Sequence, residues 1–386
     1  MKAKQLIPQL RFPEFDGQWE EKKLGNIFKI NAGGDIDKKH VSDVKTEKFK
    51  YPIYANAEKD KGFYAYSDIY KVKEGTISVA GRGVNIGIAN ARNHKYYPIV
   101  RLLVLIPKTN VDIHFFENQI NQINLFKEST GVPQLTAPQV SGYQVAFPKL
   151  PEQQKIASFL TAVDTKLQQL TTKKELLEQY KKGVMQQLFS QQLRFKQDDG
   201  SDFGDWEFVK GNKLFNSISD KKHNSDLPIL AITQDQGAIP REMINYQMVV
   251  TDKSVASYKV VQAGDFIISL RSFQGGIEYS KYHGICSPAY NILRPTSEKI
   301  DKEFYKFYLK TPFYIKQLQK KLEGIRDGKM ISYKYFSEIK LPFPTLKEQK
   351  KIASYLGALD AKIETVQTQL EKTQQFKKGL LQGLFV

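Results

Sequence analysis

The sequence contains a single cysteine, Cys286, among 386 residues. One cysteine excludes an internal disulfide and any metal site built from a cysteine cluster, which fits a reducing compartment. No apolar run approaches the roughly 18 to 20 residues that a membrane-spanning helix needs. The N-terminal segment also lacks the apolar core of a signal peptide. These absences predict a protein that stays in the cytoplasm.

Signatures of catalysis are also missing. With five histidines and no HExxH motif, metal catalysis has no support, and no Ser-His-Asp context is recognisable. The glycine-rich stretch GRGVNIG at residues 81–87 lacks the Gly-Lys-Ser/Thr ending of a P-loop. SPAY at residues 287–290 differs from the tetrad of amino-group methyltransferases, since Ala289 replaces its second proline. The sequence therefore predicts a binding protein that has no chemistry and no bound metal or cofactor of its own.

Positive charge, by contrast, is in excess. Lys and Arg number 58 against 41 Asp and Glu, which gives a formal net charge of +17. A hydrophobic fraction of 41% is typical of a folded chain. Together these values predict a globular protein that binds a polyanion, with nucleic acid as the first candidate. A generally solvated basic surface is the alternative.

Two segments of the chain are near copies of each other. FPKLPEQQKIASFLTAVDTKL in the first half recurs as FPTLKEQKKIASYLGALDAKI in the second. Each half also opens with LRF, at residues 10–12 and 193–195, and each LRF is followed by one of the two tryptophans, Trp19 and Trp206. A duplication of this length indicates one folded unit that is used twice.

The repeat divides the chain into alternating domains and helices. We predict an N-terminal repeat segment (1–17), a first mixed domain (18–146), a first long helix (147–190), a connector that repeats the N-terminal segment (191–205), a second mixed domain (206–342) and a second long helix (343–386). The mixed domains contain short β-like runs broken by turn residues. They resemble each other far less than the helices do, and the predicted fold class is α+β.

The repeated segments have the seven-residue apolar period of a coiled coil. An antiparallel pair would bury both apolar seams and give a dumbbell with approximate twofold symmetry. Lys174, Lys181, Thr373 and Lys377 interrupt the pattern. A glycine late in each helix indicates either a helix end or kink, or the close approach of another helix. The predicted helix and partner-subunit interface comprises Ile156, Leu160, Val163, Gly183, Ile352, Leu356, Leu359 and Gly379.

Polar side chains in two loops are the candidates for contact with DNA. GRGVNIG at residues 81–87 and LRSFQGG at residues 270–276 both follow a β-like run opened by a glycine, Gly75 or Gly264. Arg reads guanine, Asn and Gln read adenine, and Ser and Lys hold phosphates. The alternative is a set of solvated turn residues. We predict exposed DNA-contacting turns that contain Arg82, Asn85, Arg92, Asn93, Arg271, Ser272, Gln274, Tyr279 and Lys281.

The order of the segments, with FPxLxEQxKIAxxLxxxD opening each helix, resembles the specificity (S) subunits of type I restriction-modification enzymes. The EQxKIA motif stands at residues 152–157 and 348–353, and the resemblance covers essentially the whole chain. It implies that each mixed domain is a target-recognition domain for one half of a bipartite double-stranded DNA site. The paired helices would then fix the gap between the halves.

The resemblance also implies partners. Two methylation (M) subunits would dock on the repeated segments and use S-adenosylmethionine to methylate adenine. Motor-nuclease (R) subunits, which hydrolyse ATP with Mg²⁺, would complete a complex that defends the cell against foreign DNA. The chain itself would be the non-catalytic specificity subunit. The alternative is a free-standing basic coiled-coil scaffold that binds RNA or protein and has no restriction role.

Overall fold

A computed structural model describes residues 6–57, 59–123, 125, 134–244, 252–270, 272–320 and 331–386. The chain divides into two compact units, unit 1 with Met1–Thr171 and Thr368–Val386, and unit 2 with Thr172–Gln367. Each unit contains one mixed domain, the beginning of one long helix and the end of the other. Among the helices in these described ranges, none is long and apolar enough to cross a membrane.

Unit 1 contains two four-stranded sheets and a short two-stranded one, with strand orders β2-β9-β6-β7, β3-β5-β4-β8 and β1-β10. The strands are β1 (Glu20–Lys23), β2 (Phe28–Ala32), β3 (Val41–Ser42), β4 (Tyr51–Tyr54), β5 (Phe63–Ser67), β6 (Thr76–Val79), β7 (Ala89–Arg92), β8 (Tyr97–Pro98), β9 (Leu103–Pro107) and β10 (Gln144–Phe147). The helices are α1 (Leu24–Ile27), α2 (Ile113–Gln122), α3 (Ala137–Gly142) and the first part of α4 (Leu150–Phe189).

Unit 2 contains one four-stranded sheet, β12-β19-β16-β17, and the pairs β11-β20, β13-β14 and β15-β18. Its strands are β11 (Glu207–Lys210), β12 (Phe215–Ile218), β13 (Leu230–Thr233), β14 (Gly237–Pro240), β15 (Lys259–Val261), β16 (Phe266–Ile268), β17 (Glu278–Tyr279), β18 (Gly284–Cys286), β19 (Asn291–Pro295) and β20 (Lys340–Phe343). Besides the end of α4, its helices are α5 (Gly211–Leu214), α6 (Asp252–Val255), α7 (Ser272–Gly275), α8 (Lys302–Tyr308), α9 (Pro312–Lys320), α10 (Tyr333–Glu338) and the first part of α11 (Leu346–Leu384).

The two mixed domains share a topology that their sequences hardly show. The sheet β2-β9-β6-β7 of unit 1 has the same chain order as β12-β19-β16-β17 of unit 2. The pair β1-β10 leads into α4, and the pair β11-β20 leads into α11. Their antiparallel registers also agree, because Glu20 faces Phe147 and Glu207 faces Phe343. The duplication therefore extends from the long helices into the mixed domains, although the second sheet of unit 1, β3-β5-β4-β8, has only the pairs β13-β14 and β15-β18 beside it in unit 2.

The glutamine of the EQ motif joins each long helix to its own mixed domain. Gln153 Oε1 accepts a hydrogen bond of 3.0 Å from the backbone N–H of Asp112, whose carboxylate caps α2. Gln349 Oε1 accepts the equivalent bond, 2.8 Å, from the backbone N–H of Asp301, which caps α8. Both glutamine side chains are buried, so each motif fixes a helix N-terminus of the domain that precedes it.

The long helices pair antiparallel inside each unit. In unit 1, the beginning of α4 packs in one core cluster with the end of α11, and in unit 2 the beginning of α11 packs with the end of α4. The predicted α+β fold with a repeated unit and antiparallel long helices is confirmed. The apolar residues of these clusters are Ile156, Leu160, Val163, Leu380 and Leu384 in unit 1, and Val184, Leu188, Ile352, Leu356 and Leu359 in unit 2.

Two lysines that interrupt the heptads form equivalent ion pairs. Lys181 Nζ lies 2.5 Å from Asp360 Oδ1 in unit 2, and Lys377 Nζ lies 2.5 Å from Asp164 Oδ1 in unit 1. Both lysines are only partly exposed. At these two heptad positions, an ion pair between the two long helices therefore replaces the apolar contact.

The structure corrects the interpretation of the two late glycines. α4 continues past Gly183 to Phe189 and α11 past Gly379 to Leu384, so neither glycine marks a helix end. A Cβ atom at either position would meet nothing within 4 Å, so no other helix in the described part of the chain packs against these glycines. Both glycines are exposed, and only the contact with a partner subunit stays a prediction.

Candidate nucleic-acid interface

The two predicted reading loops occupy equivalent places in the two units. Residues 80–88 join β6 to β7, and residues 269–277 join β16 to β17. In each case the first strand follows a glycine with positive φ, 79° at Gly75 and 93° at Gly264. A side chain is strained in this conformation, which explains why glycine opens both runs.

In unit 1, Arg82 and Asn93 lie where a ligand can reach them. Arg82 is half-buried, and its Nη2 and Nε donate hydrogen bonds of 2.7 and 3.3 Å to Gln134 Oε1. Asn93 is exposed, with its Nδ2 atom 2.8 Å from His114 Nε2. Both retain donors or acceptors beyond these bonds. Their contact with DNA stays a prediction.

The structure corrects the prediction that Asn85 and Arg92 are exposed turn residues. Asn85 is 8% exposed and Arg92 only 3% exposed. Arg92 ends strand β7, and its guanidinium donates to Ser78 Oγ at 2.8 Å and to the Lys61 carbonyl at 2.6 Å. It also lies 3.5 Å from the centroid of the Tyr54 ring. Burial lowers the pKa of Arg92, and the side chain supports the domain interior.

In unit 2, too, some of the predicted DNA-contacting residues are buried and others are exposed. Ser272 is 1% exposed, and its Oγ accepts a hydrogen bond of 2.8 Å from Ser269 N at the start of α7. Its side chain is therefore buried and not presented in an exposed turn as predicted, and its contact with DNA stays a prediction. Gln274 and Lys281 are exposed, and their DNA contacts stay predictions. The predicted contact Arg271 lies outside the described residues.

Tyr279 is half-buried and belongs to the packing of unit 2 as well as to its surface. Its ring lies 5.2 Å from that of Phe266, and Lys306 Nζ lies 5.6 Å from its centroid. Burial, together with the nearby carboxylate of Glu303, raises the pKa of Tyr279 above its ordinary value. The hydroxyl therefore stays protonated and can act as a hydrogen-bond donor.

Unit 2 also contains a buried glutamate, paired with a half-buried lysine, that the sequence pattern does not indicate. Lys310 Nζ lies 2.5 Å from Glu278 Oε1 and donates to the Gln234 carbonyl at 3.1 Å. Glu278 is 1% exposed, and its Oε2 has no hydrogen-bond partner. Burial raises the pKa of Glu278 to about 7. Lys310 thus connects Gln234, in the β13–β14 turn, to Glu278 of β17, the strand that follows the candidate reading loop.

The arginine of each LRF segment also has a role that the sequence analysis did not predict. Arg11 donates two hydrogen bonds of 2.8 Å to the carboxylate of Glu152, and Arg194 makes the matching contacts with Glu348 at 3.0 to 3.1 Å. Both carboxylates are buried. The signal was present, because an arginine and a glutamate recur in both copies of the repeat, but nothing in a single sequence says that they meet.

The six apolar residues of the predicted interface face the interior of the chain. Their exposed fractions are all below 9%, and they pack with the other long helix as described above. They pack against the other long helix in each core cluster, and their contact with a partner subunit stays a prediction. The residues are Ile156, Leu160, Val163, Ile352, Leu356 and Leu359.

The described part of the chain shows no group of three or more His, Cys, Asp and Glu side chains that could hold a metal ion. The interface that this fold presents consists of two similar domains, each with exposed polar loop residues. Such an arrangement is typical of a binding protein.

The family comparison agrees with this architecture. The family model described as "Type I restriction modification DNA specificity domain" matches residues 17–179 and again residues 201–375. The two matches together cover most of the chain, and the chain belongs to this family. Its members recognise DNA sequence in restriction-modification systems, and the chain is a specificity subunit rather than an enzyme.

Curated relatives carry the same description. The chain is 27% identical over 366 residues to a putative type I restriction enzyme specificity subunit of Methanocaldococcus jannaschii, which covers 89% of this chain and 80% of the relative. It is 37% identical over 150 residues to a putative type I specificity subunit of Mycoplasma pneumoniae, which covers 37% of this chain and 40% of that protein.

Solved structures support the fold. The crystal structure of a type I restriction-modification S subunit from M. genitalium matches with a TM-score of 0.64 and 16% identity, over 98% of this chain and 99% of that one. A chain from a study of complex assembly and conformational transition of the type I system matches with a TM-score of 0.52 and 17% identity, over 94% and 95%.

Proposed function

We propose that this chain reads a bipartite double-stranded DNA site, with one half-site recognised by each unit. The proposal rests on one observation: two equivalent loops, β6–β7 and β16–β17, join equivalent strands of one repeated topology, yet their sequences differ. Equal placement with different side chains is what two readers of different sequences require. Residues 18–146 and 206–342 are the two target-recognition domains in this proposal.

The long helices, at 147–190 and 343–386, act as the spacer that fixes the gap between the half-sites. α4 has 40 residues and α11 has 39, and an α-helix rises 1.5 Å per residue, so each is about 60 Å long. The segments 1–17 and 191–205 complete each unit, since their arginines bind Glu152 and Glu348.

Two methylation subunits dock on the exposed faces of the repeated helices. These faces carry Gly183 with the 52% exposed Tyr180, and Gly379 with the 54% exposed Phe376, at equivalent positions of α4 and α11. An exposed aromatic ring beside a glycine suits a helix or loop of a partner. Two equivalent faces accept two copies of the same partner.

The chemistry belongs to the partners. The methylation subunits use S-adenosylmethionine to methylate adenine, and motor-nuclease subunits use ATP and Mg²⁺ for restriction, in the cytoplasm. The specificity chain determines the DNA sites on which these partner subunits act. The alternative of a scaffold for RNA or protein gains no support from a specific contact.

The test is the methylome of a host that has no other adenine methyltransferase and expresses this chain with a cognate methylation subunit. We expect one bipartite motif, with two specified half-sites separated by a gap of constant length. Methylation confined to one continuous motif, or to unrelated sites, would reject the proposal.

A further inference from the structure

Unit 1 contains a turn whose backbone conformation is unfavourable for the two residues at its centre. The turn joins β8 to β9 over residues 99–102 and is closed by a hydrogen bond of 3.0 Å from Leu102 N to Ile99 O. Its central residues, Val100 and Arg101, have φ values of 51° and 58°. Two successive positive φ angles ordinarily select Asn-Gly, and a β-branched residue such as valine is a clear exception.

The connection between these strands does not itself require this conformation. In unit 2 the equivalent turn precedes β19 at residues 287–290, and a hydrogen bond of 3.1 Å from Tyr290 N to Ser287 O closes it. Its central residues are Pro288 and Ala289, and neither has a positive φ. The left-handed turn is therefore particular to unit 1.

Neighbouring residues hold the strained turn in place. The side chain of Asn56 donates a hydrogen bond of 2.6 Å from Nδ2 to the Val100 carbonyl and accepts one of 2.8 Å at Oδ1 from Gly81 N. Val100 N donates to the Gly34 carbonyl at 3.1 Å. A Cβ added at Gly81 would lie 3.0 Å from the Arg101 carbonyl oxygen. The turn is thus joined to the loop that carries Arg82.

The side chain that this turn presents is a free cation. Arg101 is exposed and has no hydrogen bond or ion pair with any described residue. The other arginines of unit 1 are engaged, since Arg11 binds Glu152, Arg82 binds Gln134 and Arg92 is buried. Arg101 is therefore the arginine of the described part of unit 1 that keeps its full donor set for a ligand.

We propose that Arg101 is a specificity-determining residue of unit 1 that reads a guanine of its half-site beside Arg82, an inference that rests on the proposed function. An arginine pairs with O6 and N7 of guanine through two parallel hydrogen bonds, which requires a free guanidinium with a fixed approach. A strained backbone that its surroundings hold in place fixes that approach, and such strain is concentrated at binding sites.

The experiment compares methylomes of the host described above, which expresses the complete chain with its methylation subunit. Arg101→Ala and Arg101→Lys remove the paired hydrogen bonds, and lysine keeps the charge. We expect both variants to lose specification of a guanine in one half-site, with the other half-site and the gap unchanged. A mismatch at a directly read base typically costs about 10- to 100-fold in affinity.

Val100→Asn is the matched control, because asparagine tolerates positive φ and leaves Arg101 intact. We expect an unchanged motif and a thermal midpoint raised by roughly 2–4 °C. A wild-type bipartite motif that Arg101→Ala and Arg101→Lys both leave unaltered would overturn the inference and retain the proposed function. Uniform weakening of methylation, with every base still specified, would assign Arg101 to phosphate and overturn the inference too. Absence of any bipartite motif in the wild type would instead reject the proposed function.

Discussion

In unit 1 the carboxylate of Glu152 accepts two hydrogen bonds from Arg11, and in unit 2 the carboxylate of Glu348 binds Arg194 in the same way. The candidate reading loops agree much less, because GRGVNIG at residues 81–87 stands where unit 2 has LRSFQGG at residues 270–276, and the two stretches share only the arginine and the last glycine. The comparison separates the residues that build each unit from the residues that are free to differ. Under the proposed function, sequence recognition belongs to the second group.

The interiors of the two domains differ as well. Unit 1 buries a cation, Arg92, against the ring of Tyr54, whereas unit 2 buries the carboxylate of Glu278 beside Lys310. A buried charge of either sign needs a specific partner. The shared topology therefore tolerates quite different polar networks behind the loops, which is what two different reading surfaces would require under the proposed function.

The largest loss of stability is expected from substitution of the two buried glutamates that recur in both units. Glu152→Gln should destabilise unit 1 by about 3 kcal/mol, because it leaves the guanidinium of Arg11 without its counter-ion and weakens the bond from Trp19. Glu348→Gln should cost unit 2 about 2 kcal/mol, since Arg194 is more exposed, at 25% against 15% for Arg11.

The two tryptophans allow each unit to be followed separately. Trp19 lies in the core of unit 1 and Trp206 in that of unit 2. In a Trp206→Phe background, tryptophan fluorescence therefore reports the urea unfolding of unit 1. In a Trp19→Phe background it reports that of unit 2. Glu14→Gln, which removes the exposed pair with Lys155, is the control and should cost less than about 1 kcal/mol. Equal destabilisation of both units by each glutamate variant would contradict the account.

A smaller effect should distinguish the interiors of the two units. Because burial raises the pKa of Glu278 from 4.5 to about 7, folded unit 2 keeps a proton that the unfolded chain has released. This group therefore reduces the stability of unit 2 as pH rises from about 4.5 to 7, by up to about 3 kcal/mol, with no further change above pH 7.

Urea unfolding in the Trp19→Phe background, from pH 5 to 8, measures this effect. Glu278→Gln carries no titrating group at this position and should remove the decline, while the profile of unit 1 stays unchanged. If wild type and Glu278→Gln gave parallel pH profiles, Glu278 would be ionised in the folded protein at all these values.

The repeated frame could be predicted from the sequence because its signals are local or periodic. The heptads predict the long helices, and glycines 75 and 264 mark the strands before the two loops. The exposure of single loop residues could not be predicted. Arg92 lies in a short segment with turn-like composition, but its partners, Lys61, Ser78 and Tyr54, are between 14 and about 40 residues away in the chain.

The same limit applies to the residues that hold each unit together. Arg11 and Glu152 are 141 residues apart, and a single sequence contains no information that pairs them. Positive φ at Val100 was also invisible, because valine is among the residues that a turn of this kind disfavours. Local rules fail where tertiary contacts determine the conformation, both in the loops proposed to read DNA and in the contacts that join distant segments of each unit.

The most direct test of the central claim is replacement of residues 206–342 with the corresponding domain of another specificity subunit, followed by sequencing of the host methylome. The account predicts a motif in which one half-site is new, the other half-site is that of the parent, and the gap is unchanged, because the helices and unit 1 are retained. A motif in which both half-sites changed, in a chimera that still folds and methylates, would contradict two independent readers on one repeated frame.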